Sequence, residues 1–308
     1  MNLQDKRIVV TGGAGFIGSH LVDRLGADND VLVVDDGSNG RREWVHGDAE
    51  FLAGDLTDEA VVADAITAET DLVVHLAASK LVDTDTPRRQ FDDNSEITYN
   101  VLERMDAVGV DRLVFTSSST VYGEAPRPTP EDYAPLEPIS VYGATKLAEE
   151  SLISTYAHSH DLQSWVFRFA NIVGPRLRGA VIPDFVEKLR EDPETLTILG
   201  DGRQEKSYMH VSECIDAMVY AVEHADGDHN VFNLGTRTTT SVDRIADIVA
   251  DEMGVEPAYE HTGGDRGWTG DVPRMRLSIE KLAGLGWEPT QSSDDAVRQS
   301  ARELIDEL

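Results

Sequence analysis

"VVTGGAGFIGSH" (residues 9–20) places Gly12, Gly13, Gly15 and Gly18 within seven positions, directly behind a β-branched run. The residues before the glycines read as a buried strand, and Phe16–Leu25 after them has the apolar spacing of a helix. At such a junction Gly12 permits a tight turn, Gly15 lets a pyrophosphate approach the backbone, and Gly18 lets helix and strand pack closely. The phosphates then meet free N–H groups at the positive end of the helix. A plain strand–helix turn would also use glycines, so the decisive companion is an acidic residue closing the next strand. That residue is Asp35, the end of "VLVVD" (31–35). A carboxylate there accepts hydrogen bonds from the adenosine ribose hydroxyls and repels a 2′-phosphate, so NAD is expected rather than NADP. Arg41 and Arg42 follow in a loop and read as solvated.

Outward from this loop, "RIVVT" (7–11), "LVVHL" (72–76), "LVFTS" (113–117) and "WVFRF" (165–169) also read as strands apolar on both faces. Helical patterns at Glu59–Ile66, Arg88–Val108 and Tyr142–His160 alternate with them. The pattern predicts an α/β protein with a doubly wound (Rossmann) parallel sheet over residues 1–171. After Asn171 the rhythm breaks. Residues 174–185 look loop-like before a helical 185–190, "TLTIL" (195–199) and "SYMHV" (207–211) look like isolated strands, and "VFNLG" (231–235) returns to the main sheet. With helices near 241–252 and 293–307, residues 172–308 read as a smaller C-terminal α/β substrate-binding lobe, with segments such as 207–240 returning to the first domain.

The chain has 308 residues, of which 40% are hydrophobic, enough for one large or two modest domains. No apolar run reaches spanning length and residues 1–7 start polar, so neither a membrane helix nor a signal peptide is read. A single cysteine, Cys214, excludes an internal disulfide and a thiolate-rich zinc site and fits a reducing cytosol. The histidines, His75 and His210 among them, are too scattered for a metal site. With 57 acidic against 27 basic residues the net charge is −30, which disfavours nucleic acid and anionic membranes as partners. The carboxylates are spread through periodic segments such as "SVDRIADIVADEM" (241–253), giving a uniformly acidic surface. Adaptation to high salt is the expected reason, since counterions screen the self-repulsion of such a shell.

"SVYGATK" (140–146) sets Tyr142 and Lys146 four apart, on one helix face. A nearby ammonium together with the positive nicotinamide of NAD would favour the phenolate and make Tyr142 a general base. "FTSSSTVYG" (115–123) ends a strand at the carboxyl edge of the sheet, where its hydroxyls could bond a substrate oxygen.

Together with "GDLTD" (54–58), "HLAASK" (75–80), "RFANIVGPR" (168–176), "GDGRQEKSYMHV" (200–211) and "LGWEP" (285–289), these stretches resemble the extended short-chain dehydrogenase/reductases. Within that group the chain is most similar to the NAD-dependent sugar-nucleotide epimerases and dehydratases. Counting back from "VYG", the resemblance assigns the catalytic Ser/Thr to Ser118, and the catalytic pair to Tyr142 and Lys146. For the cofactor it implies contacts from Phe16 and Ile17 beside the glycines, an adenine pocket at Asp55 and Leu56, and Asn39 near the adenosine ribose. Leu76, Ala77 and Ala78 would line the cofactor cleft, and Lys80 matches a lysine that reaches the cofactor in UDP-galactose 4-epimerases. Asn94 would support this region and Phe169 would pack near the nicotinamide. On the substrate side the resemblance implies Asn171 at the phosphates and Val181 and Thr197 at the base.

Three departures bear on the substrate. Lys206 stands where the family has a diphosphate-gripping arginine, so it supplies charge without a bidentate fork. A second, late arginine falls on Trp268, with Arg266 as its replacement two residues away, and a usual aspartate is Ser278. Ser119 and Thr120 occupy the positions where a dehydratase carries an Asp-Glu pair and a decarboxylase a glutamate. What the resemblance then implies is redox-neutral epimerisation, in the first place of UDP-glucose and UDP-galactose. Met275 lies where such enzymes gate sugar substituents, which leaves N-acetyl sugars open. The alternatives are a dehydrogenase of a free sugar or uronate, and a non-catalytic NAD-binding protein. The implied partners are a nucleotide-sugar substrate and a second copy of the chain, paired through Phe91–Val108 and Ser140–His160 as a homodimer.

Overall fold

Strands apolar on both faces need helices over both, and the first half of the chain supplies them in alternation. The structure, a computed structural model, describes residues 1–45, 47–79, 86–267 and 270–308. The first half holds β1 (Arg7–Thr11), α1 (Phe16–Leu25), β2 (Asp30–Asp35), β3 (Glu50–Ala53), α2 (Glu59–Ala65) and β4 (Leu72–His75). It continues with α3 (Pro87–Val108), β5 (Arg112–Ser118), α4 (Val141–Ser159) and β6 (Gln163–Phe169). There follow β7 (Asn171–Val173), α5 (Val181–Glu191), β8 (Thr195–Ile198), β9 (Glu205–Lys206), β10 (Tyr208–His210), α6 (Val211–His224) and β11 (His229–Leu234). The chain closes with β12 (Thr240–Ser241), α7 (Val242–Met253), β13 (Ala258–His261), β14 (Arg274–Met275), α8 (Glu280–Leu285) and α9 (Ser293–Glu307).

Seven strands form one sheet in the order β11-β6-β5-β4-β1-β2-β3, parallel in every pairing from β3 to β5. This is the doubly wound sheet expected from the sequence. β1 has β2 on one side and β4 on the other, so the order reverses there. The carboxyl ends of β1 and β4 thus flank the switch point at which open α/β sheets take ligands.

The chain forms two compact units. The first comprises residues 1–121, 141–168 and 215–232. In its core Val9, Val73, Leu113 and Phe115 of the sheet share one buried cluster with Leu102 of α3 and Ile153 of α4. The second comprises residues 122–140, 169–214 and 233–308. There β7 pairs with β10, β8 with β13, and β9 with both β12 and β14, while α5, α7 and α9 pack on one another. Among the described residues no helix is long and apolar enough to cross a membrane.

Several elements differ from the sequence reading, which did not anticipate β12, β13, β14 or α8. α5 begins at Val181, inside the stretch read as loop, because Pro183 falls in its first turn, where a missing N–H costs nothing. α6 was not anticipated: it follows β10 directly, with no turn signal between them. β3 is a four-residue edge strand with no fully buried position, too weakly patterned to read.

Candidate functional site

The glycine loop joins β1 to α1 through three close backbone approaches. A Cβ on Gly12, whose φ is +67°, would lie 2.7 Å from the Ala77 nitrogen; one on Gly13 would meet Val33 at 2.9 Å. A Cβ on Gly18 would stand 2.2 Å from the Gly12 carbonyl oxygen and 2.7 Å from the Gly13 Cα. At Gly12 and Gly18 backbone therefore meets backbone, with Gly18 against the loop residues Gly12 and Gly13 where the sequence reading expected the strand. Gly15 is the residue before the helix; no side chain caps α1 and no acid stands in its first turn. The first-turn N–H groups, on Phe16, Ile17 and Gly18, have no intrahelical partner and lie at the positive end of the helix dipole. A cradle open to an anion results.

Asp35 closes β2 and is 8% exposed. Its Oδ2 accepts the Ala14 N–H at 3.0 Å and its Oδ1 the Gly37 N–H at 2.9 Å, which ties the carboxylate to the glycine loop. Burial pushes this carboxyl above the usual range, and those two backbone donors pull against the shift. A Cβ on Gly40 would touch both carboxylate oxygens, at 2.7 and 2.8 Å, so Gly40 is a further requirement that sequence reading missed. Arg41 and Arg42 are exposed, with guanidinium groups over Trp44 at 5.3 Å and Phe51 at 4.3 Å.

Leu76 and Ala77 follow β4 directly against Gly12. Beyond Ala78, Ser79 is pinned by fully buried Asn94: Asn94 Oδ1 accepts the Ser79 N–H at 2.7 Å and Nδ2 donates to the Ser79 carbonyl at 3.0 Å. Asn94 thus holds the segment that backs the glycine turn. Asn39 and Asp55 are exposed loop residues, and the Leu56 side chain lies in the core cluster. Lys80 lies outside the described residues, as does Trp268.

Tyr142 and Lys146 lie one turn apart on α4, with Nζ of Lys146 6.0 Å from the Tyr142 ring and 4.6 Å from that of Phe115. Lys146 is 2% exposed and faces Glu149 Oε2 at 3.2 Å. Burial pushes the Tyr142 phenol above its ordinary value; Lys146 pulls it down and Glu149 pushes it up again. Lys146 is thus one of three influences on the phenol, and the sequence reading paired it with the charge of the nicotinamide. Ser118 ends β5, and its Oγ accepts the Thr120 N–H at 3.2 Å and the Thr120 hydroxyl at 3.0 Å.

Glu150, the next residue but three after Lys146, binds Arg168 of β6 through two guanidinium nitrogens, at 3.0 and 2.7 Å, and accepts the Ser117 hydroxyl at 2.5 Å. This buried pair fixes α4 to the ends of β5 and β6. Local pattern does not announce it, because a glutamate pair among 57 acidic residues looks like solvated surface.

In the second unit Lys206 and Arg266 converge on Asp271, which is 2% exposed. Lys206 Nζ lies 2.5 Å from Asp271 Oδ1, Arg266 donates to the Asp271 carbonyl at 2.7 Å, and Arg266 also pairs with Glu124. The Asn171 backbone N–H donates to the Ser207 carbonyl at 3.1 Å. Val181 opens α5, Thr197 is exposed on β8, and Phe169 is 8% exposed at the end of β6.

The doubly wound sheet, the glycine cradle and the Tyr142–Lys146 helix define an enzyme of the extended short-chain dehydrogenase/reductase class. The profile of the NAD-dependent epimerase/dehydratase family matches residues 8–235, and the chain belongs to that family. A UDP-glucose 4-epimerase of Mycolicibacterium smegmatis is 35% identical over 300 residues, covering 92% of this chain and 93% of the relative. A solved UDP-galactose 4-epimerase superimposes with a TM-score of 0.89 at 44% identity, covering 98% of this chain and 99% of that one. A UDP-N-acetylglucosamine 4-epimerase of Methanobrevibacter ruminantium, solved with UDP-N-acetylmuramic acid, gives 0.89 at 27% identity, over 99% of this chain and all of the other. NAD is the cofactor that family membership assigns, and the side-chain-free cradle beside Asp35 fits it.

Proposed function

We propose that the chain is a NAD-dependent UDP-hexose 4-epimerase interconverting UDP-glucose and UDP-galactose. The observation that carries this reading is the buried Lys146 one turn from Tyr142, on a helix of the same unit as the glycine cradle. Bound NAD supplies the acceptor and donor of hydride at the sugar C4. First-turn amides of α1 hold its pyrophosphate, Asp35 its adenosine ribose, and Lys146 its nicotinamide ribose. Tyr142 takes the proton of the C4 hydroxyl as that carbon is oxidised, and returns it when the ketone is reduced from the other face. The Ser118 hydroxyl donates to the C4 oxygen throughout. Lys206 and Arg266 favour a diphosphate-bearing substrate, since these cations, one on the Asp271 carboxylate and the other on its backbone carbonyl, can be recruited by phosphate oxygens. The neutral Ser119 and Thr120 offer no acid for elimination of water. We also propose a homodimer through α3 and α4, whose Phe91, Tyr99 and Val141 are exposed apolar residues.

A panel of UDP-glucose, UDP-galactose and their N-acetyl forms, assayed for isomer conversion with nicotinamide absorbance followed in parallel, tests this. Isomer conversion without net NADH is expected, and Tyr142→Phe should lower turnover by ~10²-fold or more with the fold intact. Accumulating NADH would instead identify a dehydrogenase, and near-normal turnover of Tyr142→Phe would remove the assigned base.

A further inference from the structure

Glu149 has no part in the scheme above, yet it is completely buried and touches Lys146. Its Oε1 accepts the Thr98 hydroxyl of α3 at 2.7 Å; its Oε2 accepts no hydrogen bond and faces the Lys146 ammonium. Behind Thr98 a polar chain continues through the interior. Thr98 Oγ1 lies 3.1 Å from His75 Nε2, His75 Nδ1 lies 2.7 Å from Thr11 Oγ1, and Thr11 Oγ1 accepts the Ala77 N–H at 3.3 Å. The chain ends in the two residues that flank Gly12, at the base of the cofactor cradle.

Proton counting gives this chain a direction. Thr98 has one hydroxyl proton, and if it goes to Glu149 then His75 donates to Thr98 from Nε2. The bare Nδ1 accepts the Thr11 hydroxyl, and the Thr11 oxygen accepts the Ala77 N–H, so every group is satisfied. Burial pushes the Glu149 carboxyl above its ordinary range, while the Lys146 ammonium beside Oε2 and the Thr98 hydroxyl on Oε1 pull toward the carboxylate, the form this arrangement suits. A Glu149 protonated on Oε1 would donate to Thr98 and turn the sequence around, placing N–H on Nδ1 and leaving the Thr11 proton without an acceptor in the chain, and one protonated on Oε2 would aim its proton at the Lys146 ammonium.

We propose that Glu149 is a positioning residue whose carboxylate, locked by the Thr98–His75–Thr11 chain, fixes Lys146 and sets how much positive charge reaches Tyr142. The proposal rests on the reading of Tyr142 and Lys146 given above. The groups facing this carboxyl are Lys146, Glu150 and Tyr142 on α4, Thr98 on α3 and His75 on β4, with Arg168 of β6 neutralising Glu150. His75 stays neutral, since burial and then Lys146 lower it to about 3, so no second cation reaches the pair. Glu149 opposes the effect of Lys146 on the phenol, and so keeps Tyr142 able to take its proton back.

The test follows Tyr142 directly, by carbon NMR of tyrosine labelled at Cζ in the NAD-loaded protein, with Tyr142→Phe identifying the resonance. Glu149→Gln keeps the shape and an acceptor for Thr98 but removes the charge, and should move the Tyr142 midpoint about one pH unit lower. Glu149→Asp keeps the charge and should leave it within ~0.3 unit of the parent. The acid limb of the turnover profile should move with the NMR midpoint. A Gln midpoint equal to the parent's overturns the proposal even if the variant melts earlier, because a merely structural carboxylate would not move the phenol. The parent protein supplies a second check that needs no variant: nitrogen NMR should find His75 as the Nε2–H tautomer, and an Nδ1–H tautomer overturns the proposal. Neither readout depends on turnover, so a failure of the catalytic reading through Tyr142→Phe stays distinguishable.

Discussion

Gly18→Ala isolates the steric half of the cofactor argument. Gly18 lies in the first turn of α1 with φ in the ordinary range, so alanine brings no backbone strain, only a methyl group. That methyl would stand 2.2 Å from the Gly12 oxygen and 2.7 Å from the Gly13 Cα, both backbone atoms that cannot swing away. Against an ordinary contact of roughly 3.5 Å, helix and loop have to part by about 1 Å. Overpacking of this kind costs about 1–3 kcal/mol. The same displacement pulls first-turn amides off the pyrophosphate, and each such charge-assisted bond is worth about 1.5–3 kcal/mol. With 1.4 kcal/mol per factor of ten, loss of one or two predicts NAD binding weaker by ~10²-fold or more. Calorimetric titration of NAD into cofactor-free protein measures it, with thermal unfolding in parallel. Gly284→Ala in α8, where nothing lies within 4 Å of the added methyl, is the control: it should gain up to ~1 kcal/mol and bind NAD unchanged. If Gly18→Ala binds NAD within about threefold of the parent, less than one such contact has been lost and the close-packing account of this loop is wrong.

Two further expectations concern stability. The fold holds His75 neutral, with its pKa lowered from 6.5 to about 3, so between those values the unfolded chain binds a proton that the folded chain does not. Stability should therefore fall as pH drops below 6.5, by about 1.4 kcal/mol per unit or about 2 kcal/mol at pH 5. In denaturant titrations the parent should lose about 2 kcal/mol more stability than His75→Gln between pH 7 and 5, and equal losses would contradict it. The net charge of −30 implies that self-repulsion is relieved as the screening length shrinks from about 10 Å at 0.1 M to about 3 Å at 1 M salt. The melting temperature should climb with potassium chloride into the molar range; a flat response would leave the acidic surface without the reason proposed for it.

β1, β2, β4, β5 and β6 were legible because each is buried on both faces and so reads as an unbroken apolar run. β3 was not, since its residues are half-exposed at the sheet edge, and α6 was not, since no turn separates it from β10. The same distinction runs through the site. The glycine loop and Asp35 stand at fixed spacing within one strand–helix–strand unit, so local pattern finds them. Lys206, Arg266 and Asp271 meet across 65 residues of sequence, and Thr11, His75, Thr98 and Glu149 across 138, contacts that no local spacing announces.

α4 shows why the helix of Tyr142 and Lys146 was easier to locate than to orient. Its buried face carries Thr145, Lys146, Glu149 and Glu150, so the rule that charged residues face water would turn the helix around. Buried ion pairs add little net stability, because desolvation offsets their attraction, yet losing one partner is costly. Their value here is geometric. Glu150 ties the helix to Ser117 and Arg168 at the ends of β5 and β6, and Glu149 ties it to α3 and, through His75, to β4. A rotation of α4 by one residue, about 100°, would break both anchorages at once and strand two buried carboxylates. Tyr142, one turn ahead of Lys146 on that helix, has no other register open to it, and the base proposed to serve both faces of a turning sugar would be held that firmly.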